Sequence, residues 1–424
     1  MGRVLRCVCA GALVTLCLTR GTFAQASLTW QEIKNRFAAS NPTLKAGQIS
    51  IDESRADETT AYLRPNPSLS FSTDGTQLVP YNGAWQPFIG TQYTTSFSYL
   101  HERQHKRELR LQSAEGATTI ATSQQADLER NLLFSLRSAF VQVLQAKTVL
   151  GLATSDLNYF DQELAISRDR YNAGDISRVD LDRIELQRVQ YEADYETAQV
   201  NLRTAKIQLL QLLNDGTPVD TFDVIGPFTF SDQLMPLDDF RKIALTSRPD
   251  LRAASQAIDK AKIDHQLAIS NGSTDPTFST WWTHNPSFNN PNDNETIGAS
   301  ISIPLRIFDR NQGEKERTRL DVWRSERLLN ANQALVLSDV GSAHATLVST
   351  LNLLKPYRDK YLDTATRIRD TISYAYQHGG AALVDFLDAQ RDYRSVQLAY
   401  INLIGSYLTA AAQMNLAVGR EAIQ

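Results

Sequence analysis

The sequence predicts a mainly α-helical chain written twice from one unit of about 200 residues, each unit carrying two alternating strands that fit the wall of a membrane β-barrel. Three observations predict it. Long segments recur at a nearly constant offset, two stretches of more than sixty residues hold almost no helix breaker, and four short segments alternate apolar with small polar residues.

The leader comes first. Arg3 and Arg6 precede an apolar stretch from Val8 to Leu18, and Thr22-Phe23-Ala24 offers a small-residue cleavage site, so residues 1–24 read as a secretory signal peptide. Its apolar run is too short for a spanning helix, which needs roughly 20 residues. All three cysteines of the chain, Cys7, Cys9 and Cys17, lie in it. Lipidation at Cys17 is the alternative, and the bulky Leu16 before that cysteine argues against it. Of the 424 residues, 43 are basic and 47 acidic, a formal charge of −4; cleavage removes Arg3, Arg6 and Arg20 and takes it to −7. A negative chain of this kind is a poor partner for nucleic acid, which needs a basic surface. No later apolar run is expected to span a membrane as a helix, so membrane entry has to be as a barrel.

The first unit opens with "LTWQEIKNRFAASNPTLKA" from Leu28 to Ala46, which recurs as "LDDFRKIALTSRPDLRA" from Leu237 to Ala253. Pro42 falls on Pro249 and Leu44 on Leu251, and Phe71-Ser72-Thr73 returns as Phe278-Ser279-Thr280, all at an offset of 207. Farther on, "YNAGDISRVDL" (Tyr171 to Leu181) matches "YQHGGAALVDF" (Tyr376 to Phe386) at an offset of 205. The units are therefore placed at 25–230 and 231–424. In each, a short helix precedes an Asn-Pro or Arg-Pro break, and a second helix follows, from about Asn41 to Leu63 and from Pro249 to Ser270.

Strands come next, at about 68–100 and 277–304. Ile89, Thr91, Tyr93, Thr95, Phe97 and Tyr99 alternate with small polar residues, as do Ile297, Ala299, Ile301 and Ile303, with partners at Ser68 to Thr73 and Thr277 to Thr283. Such a period fits a half-buried soluble sheet as well as a barrel wall. Four strands cannot close a membrane barrel, whose minimum is about eight, so a spanning sheet requires two or more chains. The connecting loops are rich in Pro, Asn and Gly, and Tyr81, Trp85, Trp281 and Trp282 are candidates for interfacial aromatics or for ordinary loop packing.

Long helical hairpins follow, at about 104–214 and 311–418. Gln104 to Asn172 has no proline, giving a rod of about 100 Å at about 1.5 Å per residue. The second rod, Gln312 to Gln377, contains Pro356, which predicts a kink. The return helix of the second unit repeats apolar residues every three and four from Phe386 through Ala389, Tyr393, Val396 and on to Ala417; in the first unit the same seam breaks only at Arg188. By length, a return helix and the helix before the strands stack end to end beside one long rod.

Taken with Asn41-Pro42, Arg64-Pro65-Asn66-Pro67, the paired Tyr-x-x-Gly turns ending at Gly174 and Gly379, and Val384-Asp385-Phe386-Leu387-Asp388-Ala389, this plan resembles the TolC family of outer-membrane efflux ducts over the whole mature chain. The Asn-Pro, Arg-Pro-Asn-Pro and Gly-Asp-Ile-Ser wording is most similar to the CzcC-type cation-efflux branch. The resemblance implies a homotrimer with one twelve-stranded barrel in the outer membrane, contacting its lipid, and an α-helical barrel continuing into the periplasm of a Gram-negative type bacterium. It implies a passive duct of a tripartite system, working with a periplasmic adaptor and an inner-membrane pump, for which the RND type is one candidate, with no cofactor and no catalysis. The adaptor-contacting tips map to Gly174, Asp175, Ile176, Gly379 and Gly380, and the periplasmic gate to Asp385, Asp388, Asp180 and Tyr376. Ala381 stands where relatives carry a basic residue, which puts a salt-bridge lock in doubt and leaves Arg178 or Arg183 as substitutes. Asp385 and Asp388 also fit a plainer role, acids in a first helical turn favoured by the helix dipole.

Two other readings stand beside this one. A soluble periplasmic coiled-coil adaptor or scaffold is the alternative function, although adaptors of that kind normally show one helical hairpin and not two. His101-Glu102-Arg103-Gln104-His105 spells the H-E-x-x-H of zinc proteases, but Arg103, Lys106, Arg107 and Glu108 crowd it where a strand gives way to a helix, which favours a charged collar. There is no phosphate-binding glycine loop, nucleophile elbow or triad signature.

Overall fold

The computed structural model describes residues 27–80, 82–285 and 294–423. The segment expected to be a signal peptide, with all three cysteines, Tyr81 and most of the second loop lie outside the described residues. In chain order the elements are α1 (Trp30–Ser40), α2 (Pro42–Ala61), β1 (Ser68–Asp74), β2 (Gln92–Leu100), α3 (Lys106–Ala173), α4 (Arg178–Leu213), α5 (Leu237–Ser247), α6 (Pro249–Asn271), β3 (Thr277–His284), β4 (Glu295–Ser302), α7 (Gln312–Pro356), α8 (Leu362–Gln377) and α9 (Leu383–Val418). The order helix, helix, strand, strand, long helix, return helix thus occurs twice.

The repeat is physical as well as textual. In α1, Ile33 and Phe37 are buried; at an offset of 207, so are Phe240 and Ala244 of α5. Proline opens both α2 and α6, where its missing N–H costs nothing and its fixed φ suits the first turn. Ser40 Oγ donates to the last-turn carbonyl of Leu213 at 2.6 Å, and Ser247 Oγ does the same to Val418 at 2.6 Å. These bonds join the end of each return helix to the start of the helix before the strands, so α4 meets α2 and α9 meets α6 end to end, as their lengths predict.

The two joints are capped differently. Asn41 accepts from the Leu44 N–H and donates to Leu212 O, closing its joint with one amide. Arg248 holds the equivalent position, buried, bound to Asp250, Asp339 and the carbonyl of Ala417. Burial alone pushes the Asp250 carboxyl up, but the hydrogen bonds and charge of Arg248 outweigh it and hold that carboxyl below its ordinary range.

The core is a chain of separate apolar clusters strung along the helices. One gathers α1, the middle of α3 and the end of α4 around Phe37, Leu136, Phe140 and Leu209. A second gathers α5, α7 and α9 around Phe240, Val340, Leu347 and Met414. The third closes the far end of the hairpins. The return-helix seam supplies Phe386, Tyr407, Ala410, Met414 and Ala417 to these clusters, and Ala389 is buried as well. Arg188, the one break in the first seam, turns outward into ion pairs with Asp161 on α3 at 2.6 Å and Glu192 at 2.8 Å.

Two details depart from the sequence reading. After Pro356 the helix widens into one π-helical turn, Tyr357–Tyr361, and continues as α8, in place of a simple kink. Proline lacks the N–H for the i−4 bond and crowds that carbonyl, and an inserted wide turn re-pairs the backbone without ending the rod. Within Gln312–Gln377 there is also a stretch long and apolar enough to cross a membrane by length and composition. Val336, Val340, Ala343 and Leu347 of this helix pack against α5 and α9, and 33% of the stretch is buried within the chain.

Candidate functional site

Four antiparallel strands form one sheet in the order β1-β2-β3-β4, with β2 and β3 joining the two units. Each strand sends alternate side chains to opposite faces. On one face lie Leu69, Phe71, Phe97, Tyr99, Phe278, Trp282, Ile297 and Ile301, paired so that Leu69 opposes Phe97 and Phe278 opposes Ile301. These residues are largely uncovered; Phe71 is 76% and Ile297 83% exposed. The other face is a field of hydroxyls, in which Ser68 meets Ser98 at 2.7 Å, Ser70 meets Ser96 at 2.6 Å and Thr94 meets Thr283 at 3.1 Å. The two tryptophans of β3 therefore separate. Trp282 lies on the apolar face, while Trp281 lies on the other, over Gly298, where any Cβ would strike its indole at 2.3 Å. The alternation begins later than the sequence suggests, since Ile89 and Thr91 belong to a turn in which the Thr91 N–H donates to Phe88 O.

At the foot of the sheet, the H-E-x-x-H motif is not helical. His101 follows β2, α3 starts only at Lys106, and both Gln104 and His105 have left-handed backbones, with φ of 58° and 54°. The two imidazoles therefore lack the i, i+4 helical spacing that a zinc-protease motif uses. Glu102 is taken by Arg110 at 2.9 Å and buried Lys106 by Asp275 at 2.5 Å.

The opposite end of the molecule carries the two turns. Gly174 and Gly379 close α3 and α8 in the left-handed region, at φ of 84° and 76°. The closures are the same: Gly174 donates to Tyr171 O and Asp175 to Arg170 O, while Gly379 donates to Tyr376 O and Gly380 to Ala375 O. Ile176 packs into the cluster beneath, with Leu164, Leu181, Ile184, Tyr376, Leu383 and Phe386. Tyr376 and Phe386 stack with ring centroids 4.8 Å apart.

Of the residues assigned to the gate, Tyr376 is buried in that cluster, and burial raises its phenol above the ordinary range. Its hydroxyl has no hydrogen-bond partner within the described residues. Asp180 does not bond to it. The Asp180 carboxylate accepts from Ser177 Oγ at 2.8 Å while its N–H donates back to Ser177 at 3.1 Å, a helix cap. Asp385 is exposed in the first turn of α9 and accepts from the Ala382 N–H at 3.4 Å. Asp388 is exposed one turn on, paired with Arg391 at 3.1 Å, and lines an open groove of about 810 Å³ between α4 and α9. Arg183 lines the same groove, whereas Arg178 is engaged by Asp182 at 2.9 Å. Ala381 packs on the apolar cluster.

Two sets of residues near the tips escaped the sequence reading. Arg170 places its guanidinium 5.0 Å from the Tyr376 ring centroid and donates to Tyr376 O, so it ties the two hairpins at the turns; its place beside Tyr171 of the repeated turn was the available signal. Higher up, Arg394 of α9 binds Asp194 of α4 at 2.5 Å, reaches Asp156 of α3 at 3.7 Å and lies over Tyr191. Burial pushes Asp156 up to about 6 in spite of Arg394 and Arg369. Between these levels, Gln377 donates to buried Glu163, while Tyr159 and Gln390 converge on the Ser373 hydroxyl.

Comparison with known proteins agrees with this architecture. The outer membrane efflux protein family matches residues 34–215 and 241–420, one segment in each unit. The cobalt-zinc-cadmium resistance protein CzcC of Cupriavidus metallidurans is 22% identical over 404 residues, covering 94% of this chain and 91% of that protein. Outer membrane protein TolC of Escherichia coli is 22% identical over 306 residues, covering 69% of this chain and 62% of that protein. Among solved structures, a crystal structure of CusC superposes with a TM-score of 0.77 at 16% identity, covering 92% of each chain. The outer membrane protein VceC of Vibrio cholerae gives 0.72 at 15% identity, covering 92% of this chain and 96% of that one.

Proposed function

The chain belongs to the outer membrane efflux protein family, and from that premise we propose that it closes as a homotrimer whose twelve strands make one barrel and whose helices make the periplasmic tunnel. It is an outer-membrane efflux duct, and its family is one of channels and not of enzymes. The sheet carries the trimer reading: one face is apolar and uncovered, the other is lined with hydroxyls, and β1 and β4 are left as open edges. In hydrocarbon an unpaired edge costs several kcal/mol per backbone group, so the edges must be paired by neighbouring chains.

Units 25–230 and 231–424 of three chains then make six segments of the ring. The tips at Gly174, Asp175, Ile176, Gly379 and Gly380 meet a periplasmic adaptor, and an inner-membrane pump, with the RND type as the candidate, drives export. Likeness to CzcC supports metal cations as cargo. Asp385 and Asp388, both exposed on one side of α9, supply the acidic lining of the narrow entrance, with Tyr376 and Asp180 in the contact that keeps it closed. Arg170 supports that contact in the place of the basic residue that Ala381 lacks.

Purified protein should crosslink as a trimer, run as a heat-modifiable band and conduct ions in a planar bilayer. A monomeric soluble product overturns the duct and favours a scaffold. Asp385→Ala with Asp388→Ala should weaken block of the current by divalent cations by about tenfold, equivalent to about 1.4 kcal/mol. Unchanged block removes these two residues from the entrance.

A further inference from the structure

A pocket of about 430 Å³ lies where the sheet meets the helices, lined by Arg64, Tyr99, His101, Arg103, Lys106 and Arg107 among others. Its charges do not balance locally. Lys106 is buried and spent on Asp275 and Ser273 O, Arg107 is paired with Glu108, and Glu102 is held by Arg110. Arg64 and Arg103 are exposed, and their guanidinium groups form no ion pair among the described residues. Two free arginine forks therefore border one cavity.

The position of the cavity decides what can reach it. Tyr99 lines it and also belongs to the apolar face of the sheet, where it borders a depression with Phe97, Phe278 and Ile301. His101 packs edge-on against Phe278, their ring centroids 6.5 Å apart. The cavity thus opens on the apolar side of the sheet and not on the hydroxyl side. Large apolar side chains mark the same level, with Leu63 beside Arg64 and, after β4, Leu305, Ile307 and Phe308, the last 89% exposed. Uncovered aromatic and aliphatic groups beside unpaired arginines are what a chain places at a membrane–water interface.

We propose that this pocket binds the phosphate of a lipid headgroup in the periplasmic leaflet of the outer membrane. The proposal rests on the reading of the strands as a membrane barrel. A guanidinium grips phosphate oxygens in pairs, and the adjoining apolar wall accepts the acyl chains. Inorganic phosphate satisfies the first half of this recognition but not the second. With two unpaired cations, a headgroup carrying net negative charge binds more tightly than a zwitterionic one.

The test uses the full protein purified in detergent, with native mass spectrometry reading retained phosphatidylglycerol against phosphatidylethanolamine. Phosphatidylglycerol should be retained preferentially and resist displacement by millimolar inorganic phosphate. Arg64→Gln or Arg103→Gln should weaken retention about fivefold each, and the double variant at least roughly tenfold. Arg367→Gln, an exposed arginine on distant α8, should leave retention unchanged. Equal retention by the double variant, equal loss with Arg367→Gln, or full displacement by inorganic phosphate overturns the lipid site. Single-channel conductance separates the two levels: a double variant that conducts normally but has lost no lipid sinks the pocket alone, whereas wild-type protein that never inserts sinks the barrel.

Discussion

Asp156 is the residue at which the fold places a charge against its own preference. Burial on α3 raises its carboxyl to about 6, and the groups facing it are Tyr191 and Asp194 from α4, Arg369 from α8 and Arg394 from α9. A carboxyl with a raised folded value binds a proton more readily in the folded state than in the unfolded one, so its contribution to stability grows as pH falls from about 6 toward 4. The carboxylates held low, Asp223, Asp250 and Asp275 among them, work the other way, but their loss of stability begins below the ordinary carboxylate value. Between these limits Asp156 dominates. Thermal melting of the detergent-solubilised protein should therefore rise between pH 7 and pH 5, and Asp156→Asn should flatten that rise while leaving Arg394 its pair with Asp194. An undiminished slope in the variant assigns the pH response elsewhere. None of this was visible in the sequence, because Asp156 and Arg394 are brought together only by the packing of α3 against α9, and no periodicity links them.

At the scale of the element, the two turns and the long rods respond oppositely to the same change. Gly174 closes α3 at a φ of 84° with no atom within 4 Å of a would-be Cβ, so Gly174→Ala meets backbone strain alone, about 1–2 kcal/mol. Gly151, inside α3 and equally unobstructed, gains helix propensity on becoming Ala, by about 0.5–1 kcal/mol. Trypsin should then cut sooner at Arg170 and Arg178 in Gly174→Ala and later, if anything, in Gly151→Ala; faster cutting in both breaks the assignment. The turns were legible because the Tyr-x-x-Gly spacing recurs at a fixed offset, and glycine at that place has one dominant reason. The seam of the return helices was legible for a similar reason, a period matched to helix geometry. The π-helical turn after Pro356 was not, since proline states only that an α-helical bond is lost, and the packing of α7 and α8 on α9 decides how the backbone recovers. The gate assignments were legible as positions, yet their bonds were not: Asp180 and Asp385 both turned toward cap N–H and hydroxyl groups at their own helix starts, which any acid in a first turn can reach.

For the whole molecule, one chain is an open stave. Beyond the sheet edges, α4 carries a second apolar row that no helix of the same chain covers, Val179, Leu186, Val200 and Ile207, spaced by seven or fourteen residues. Seven-residue spacing keeps one side of a helix facing a partner along its whole length. A second row runs along the other flank: Leu328 and Leu335 on α7, seven apart, Leu353 eighteen residues or about five helical turns on, then Tyr361 and Ile368, seven apart beyond the π-helical turn. Two different rows on opposite flanks make a head-to-tail contact, which closes into a ring when the rotation per chain divides the circle. The proposed trimer thus predicts that α4 of one chain lies against α7 and α8 of the next. Leu186→Asp tests it, because Leu186 is 71% exposed in the single chain and its replacement leaves every intrachain cluster intact. In the ring, the change removes about 2 kcal/mol of apolar burial at each contact and places an unpaired carboxylate there. The variant should keep the far-ultraviolet circular dichroism of the wild type while losing the crosslinked trimer and its conductance. Ile184→Asp, two residues away but buried in the cluster below the turns, should instead lose helical signal and proteolytic resistance at the tips. Trimers of Leu186→Asp as stable as wild type place the interface elsewhere and leave the row on α4 without a partner in the ring.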